Sequence, residues 1–161
     1  MGPIPLLVAA LFLPPSWGAA QPADAGRARD ALTGDARARP DTNPQCRLFR
    51  PGELVPFVGL PLGAGRNAGG GSGCQWVSAD DEAEVMVTVV GARHHEAPTR
   101  ANGYRALAEV GQRGFVVPEL GGWTAGAIVG DEAIRVSVTG PKATAQGAIG
   151  LLGETIARRR R

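Results

Sequence analysis

Apolar and polar residues alternate most regularly where Val85, Val87 and Val89 interleave with Met86, Thr88 and Val90 before Gly91. A period of two is that of a half-buried strand. Just upstream, Gly73-Cys74-Gln75-Trp76-Val77-Ser78 is a second strand-like stretch, and Ala79-Asp80-Asp81-Glu82 between them is a turn composition, so residues 73–91 predict a β-hairpin. A second hairpin follows, with residues 123–129 and 134–139 flanking Gly130-Asp131, a favourable two-residue turn. In its last strand Ile134, Val136 and Val138 face one way, and Arg135, Ser137 and Thr139 the other. Phe115-Val116-Val117 predicts one more short strand, halted by Pro118 and Gly121-Gly122.

The remaining apolar positions follow a helical period. Residues 50–59 predict a short helix: Pro51 suits the first turn, Glu53 the positive end of the dipole and Gly59 the end, while Pro56 shortens or bends it. Thr99 is read as the cap of a helix with Tyr104, Leu107, Ala108 and Val110 inward and Gly111 at its end, although Asn102-Gly103 weakens its first turn. Residues 141–158 predict an amphipathic helix with Ala145, Ala148, Ile149, Leu152 and Ile156 on one face. The glycine-rich stretch 63–73 is read as a mobile loop delivering the chain to Cys74.

Asp81-Glu82-Ala83 with its valines echoes Asp131-Glu132-Ala133 with Val136 and Val138, about fifty residues later. The expected fold is therefore α+β: an antiparallel sheet built from two α-β-β units with a closing C-terminal helix, one face covered and the other open. Chance similarity of two hairpins is the competing account of the repeat.

Composition and the N-terminus add domain limits. An apolar run from Ile4 to Leu13, then Pro14-Pro15 and Gly18-Ala19-Ala20, has the central and cleavage regions of a secretory signal, although no Lys or Arg precedes it. It is shorter than the about 20 residues a membrane span needs. We expect a signal peptide over 1–20, a disordered linker over 21–45 rich in Ala, Arg, Asp and Pro, an α+β domain over 46–157 and a basic tail over 158–161. Cys46 and Cys74 are the only cysteines, and in an exported chain they read as one disulfide; two buried free thiols are the alternative.

Charge and motif chemistry exclude more than they assign. The linker's charges alternate in sign, and residues 46–157 carry nine basic against eleven acidic side chains, so no nucleic-acid partner is expected. His94-His95-Glu96 is the one cluster with metal or acid/base potential, but neighbours on an extended chain point apart, and zinc needs three or four ligands. Gly63-Ala64-Gly65-Arg66-Asn67-Ala68 resembles a dinucleotide fingerprint without the strand-to-helix setting that motif requires, and Gly70-Gly71-Ser72-Gly73-Cys74 departs from a nucleophile elbow at its last residue. No cofactor and no catalytic residue is expected. Arg158 to Arg161 complement a helix C-terminus, with Glu154 placed to pair with Arg158.

Cys46 opening a short helix, Gly73-Cys74-Gln75-Trp76 opening a strand, Gly111 before Phe115, and Gly130-Asp131-Glu132-Ala133-Ile134 turning into the last strand together resemble a family of small exported bacterial proteins. Its members are best known as actinobacterial lipoproteins of unknown function with a Cys…Gly-Cys-x-Trp core. The resemblance covers residues 46–157 and implies a disulfide-bearing extracytoplasmic α+β domain, with no catalytic residues to carry over. Unlike those lipoproteins, this chain has no cysteine after the apolar run to carry a lipid.

The function expected is a periplasmic or secreted non-enzymatic module, monomer or weak dimer, that binds an envelope protein or small ligand. Its candidate surface is the open sheet face or the segment 115–123, with Trp123, Phe115, Glu119 and Tyr104 as contact residues. The alternative is an envelope enzyme or metal-binding protein using His94, His95 and Glu96.

Overall fold

Both hairpins form, and they meet side by side. The computed structural model describes residues 42–161, so the signal-peptide expectation and all but the last residues of the linker expectation lie outside the described residues. Seven strands, β1 (Arg66–Ala68), β2 (Gly73–Val77), β3 (Glu84–Gly91), β4 (Arg105–Leu107), β5 (Gln112–Glu119), β6 (Gly122–Val129) and β7 (Glu132–Thr139), form one sheet in the order β1-β2-β3-β7-β6-β5-β4. Every pairing is antiparallel. The two echoing hairpins, β2–β3 and β6–β7, are its centre: β3 lies against β7 with Val87 opposite Val136, so the repeated valine strands become neighbours.

Registers divide the sheet into two faces. Trp76, Val85, Val87, Ala125, Val136 and Val138 point to one side and are fully buried there with Leu54, Val58, Leu151 and Leu152. Those four come from α1 (Pro51–Val58) and α2 (Ala145–Arg159), which cover this face. Each such side chain contributes about 1.5–3 kcal/mol by leaving water. Helix α1 starts as expected: Pro51 occupies its first turn, the Arg50 N–H donates to the Glu53 carboxylate at 2.7 Å, and Gly59 closes it at φ 91°. Helix α2 is capped by Thr144, whose hydroxyl accepts from the Gly147 N–H at 3.0 Å; Leu151 and Thr155 join the expected inward residues.

The disulfide Cys46–Cys74 closes a loop with a sequence separation of 28 and ties the segment before α1 to β2. The folded part begins earlier than composition indicates. Asn43 is buried, and its amide donates to the Gly73 carbonyl at 2.7 Å and to the Asn67 side chain, while its oxygen accepts from the Gln45 N–H at 2.9 Å. Polar residues here stand in for an apolar anchor, so the boundary was invisible to hydrophobicity.

Three expectations are corrected. The glycine-rich stretch 63–73 contains a strand, β1, paired with residues Gly73 to Gln75. The helix expected from Thr99 to Gly111 does not form: the chain turns at Asn102-Gly103, with Gly103 at φ 78°, and runs into β4. An Asn-Gly turn and pairing of Arg105 to Leu107 with β5 outweigh a helical stripe that had few apolar residues. The second unit is therefore a hairpin without its helix. Pro118, expected to stop a strand, lies inside β5; β4 pairs no further than Val116, so the outer edge of β5 is open there, which a proline tolerates.

Candidate functional site

On the sheet face away from the helices, β3 contributes Met86, Thr88 and Val90, and β7 contributes Ala133, Arg135 and Ser137. Alternation puts these there because their neighbours fill the core. The connection 92–104 crosses this face and leaves a groove of about 420 Å³ between itself and β3, with Glu119 on its far wall.

The crossing connection is held by an aromatic cluster. Phe115 is fully buried, with His95 at a ring-centroid distance of 5.7 Å and Tyr104 stacked at 6.3 Å. Gly126 on β6 makes room for it: a Cβ there would lie 2.8 Å from the Phe115 ring. Between Gln112 and Phe115 the register shifts by a bulge, with Arg113 in the left-handed region at φ 53°. The bulge presents the Arg113 carbonyl to His95 Nε2 at 3.1 Å. A carbonyl only accepts, so Nε2 carries a proton in this arrangement. Burial, and then the positive charges of Arg113 and Arg135, hold the His95 pKa below the usual histidine value; its bond to the Arg113 carbonyl opposes this only in part.

Arg135 is fixed from two sides. Its Nη2 donates to the Glu96 carbonyl at 2.8 Å, and its guanidinium lies 5.8 Å from the Phe115 ring centroid. Among the described residues no carboxylate forms an ion pair with it. Beside it, the Ser137 and Thr124 hydroxyls are hydrogen-bonded at 2.6 Å.

The expected site residues are brought together in part. Glu119 and Glu96 line the groove, and Tyr104, at the end of the connection, stacks on Phe115. Phe115 and Trp123 do not form one recognition edge. Phe115 is buried on the open side, whereas Trp123 pairs with Val138 and is half-buried on the helix-covered side, because residues eight apart on two antiparallel strands need not share a face. Leu120, at the tip of the β5–β6 turn, is the fully exposed apolar residue of that segment. His94 and His95 both line the groove but in different settings: His94 is exposed and accepts from Arg93 Nε at 3.0 Å, while His95 is buried. Among the described residues no group of three or more His, Cys, Asp or Glu is placed to hold a metal.

Arg135 and Ser137 on the polar half of the β7 alternation, and Thr88 on that of β3, are site residues that were not among those expected, although that alternation was their signal. At the C-terminus, Arg158 pairs with Glu154 at 3.4 Å as expected, and also with Glu53 at 3.1 Å, the Leu48 carbonyl at 2.6 Å and the Phe49 ring at 4.3 Å. That hydrogen bond from Arg158, with one from the Arg50 N–H, lowers the Glu53 pKa. Arg159 grips Glu132 at 2.6 Å, so helix α2 extends through two of the four tail arginines.

Neither a scan against protein-family models nor a search of curated proteins returns a match for the chain. The bridged cysteines are of a kind that belongs to an oxidising compartment, and no helix among the described residues is long and apolar enough to cross a membrane.

Proposed function

We propose that this is a non-enzymatic binding module of an exported, oxidising compartment, and that it takes its partner in the groove between β3, β7 and the connection 92–104. One observation carries the reading: the sheet face without helices holds a concave, mixed polar and apolar groove on its two central strands, floored by Met86, Thr88, Arg135 and Ser137. Concave sites of this kind, apolar in part with a few placed polar groups, are where ligands bind. His94, His95 and Glu96 line the groove too, but the rings hydrogen-bond to Arg93 Nε and to the Arg113 carbonyl, and among the described residues neither is hydrogen-bonded to a carboxylate, so the alternative of histidine-based catalysis is not favoured. The likeness to small exported actinobacterial lipoproteins points the same way as the disulfide.

A photo-crosslinking residue at Thr88 tests the reading against one at Gln146 on the exposed side of α2. With envelope extract, the Thr88 probe is expected to give a discrete adduct that excess unlabelled domain removes and a Met86→Arg change, which fills the groove, abolishes. No adduct, or equal adducts from both probes, would overturn it.

A further inference from the structure

We infer that the groove recognises the carboxylate of a peptide-like chain, with Arg135 as its anchor; this rests on the groove being the binding site. Arg135 stands on the central strand β7, directly opposite Thr88 of β3, with Ser137 two residues further along the same face. The side chain is exposed, so its charge is open to a ligand; the guanidinium is oriented by the Glu96 carbonyl and the Phe115 ring, neither of which neutralises it, and no carboxylate among the described residues pairs with it. Nη2 is occupied, while Nη1 and Nε make no hydrogen bond among the described residues, which leaves guanidinium donors that bind a carboxylate in a fork. Because the side chain is already held, little further freedom is lost when an anion arrives.

The surrounding groups narrow the class. Glu96 and Glu119 place two carboxylates on the groove wall, and neither is engaged in an ion pair among the described residues. They disfavour a phosphate dianion more than a carboxylate, which carries a single charge, and they accept N–H donors, which a peptide offers beside its terminal carboxylate. Thr88 and Ser137 add hydroxyls that donate or accept, and Met86 gives a soft apolar contact next to them. A fatty acid would lay its chain against these polar groups without satisfying them.

Isotope-labelled domain is titrated with acetyl-Ala-Met, with its C-terminal amide, and with inorganic phosphate, and backbone and Arg side-chain NMR shifts are followed. The free acid is expected to shift Thr88, Arg135 and Ser137 saturably, the amide to bind about tenfold or more weakly, and phosphate to leave these positions unsaturated. Arg135→Gln should abolish the difference between acid and amide. Since Arg135 also ties down Glu96, Thr88→Val is run beside it, and it should weaken the acid while leaving the Phe115–Tyr104 contacts intact. Equal binding of acid and amide, saturable phosphate binding at Arg135, or no response to the acid overturns the inference. If the Thr88 crosslink still forms in that event, the groove binds something other than a carboxylate; if the crosslink fails as well, the reading of the groove itself falls.

Discussion

Gly65 lies where the chain passes over the disulfide, and its lack of a side chain is what allows the passage. A Cβ there would stand 2.7 Å from Trp76 Nε1 and 2.8 Å from Cys74 Sγ, both belonging to buried residues that cannot give way. Gly65→Ala is therefore expected to destabilise the domain by about 1–3 kcal/mol, read as a lower urea midpoint with an unchanged slope. Gly63, whose added Cβ would meet the Val77 carbonyl at 3.3 Å, should tolerate alanine better and serves as the comparison. The glycines of this stretch looked like a flexible loop in the sequence because composition does not distinguish a glycine needed for close approach from one supplying freedom.

At the scale of elements, the connection 92–104 is the part whose stability should depend on pH. His95 is its buried polar side chain, and the groups around it are Arg113 on the bulge, Arg135 on β7, Tyr104 at the end of the connection and its neighbours His94 and Glu96. The folded pKa of His95 is lowered, so the unfolded or detached segment takes up a proton first. The stabilisation is complete above the ordinary histidine value of about 6.5 and is lost as pH falls through the lower folded value. Amide exchange in residues 92–104 should accelerate relative to β3 and β7 as pH is lowered below about 6.5, after correction for intrinsic rates, and His95→Phe should flatten that dependence.

The elements that could be read from the sequence were those whose own residues settle them. The two hairpins were legible because their valines alternate and their turns are polar, and α1 and α2 because proline, glycine and amphipathic spacing mark them. What escaped was decided by partners distant in sequence. β1 exists because β2 offers an edge, β4 because β5 does, and neither has an alternating pattern of its own. The groove was half legible: the outward set of Arg135 and Ser137 was visible, but its pairing with Met86 and Thr88 depends on β3 lying beside β7.

For the whole molecule, the disulfide and Arg158 act on the same seam. Cys46 joins the N-terminal segment to β2, and Arg158 reaches from the end of α2 to Leu48, Phe49 and Glu53. Closing a loop of this length limits the unfolded chain and is worth about 3–4 kcal/mol in the loop-entropy description. Reduction should lower the denaturation midpoint accordingly, and a Cys46→Ala/Cys74→Ala variant should match the reduced protein and no longer respond to reductant. An oxidised and a reduced protein of equal stability would show that the bond is incidental to the fold.

The adjacency of β3 and β7 has a consequence for how the chain is made. Synthesis and any passage through a membrane proceed from the N-terminus, so the first hairpin is complete some forty residues before the strand that will flank it exists. During that interval β3 carries an open hydrogen-bonding edge, and the row Val85, Val87, Val89 lacks the cover of the C-terminal helix, the condition under which nascent strands pair with the wrong neighbour.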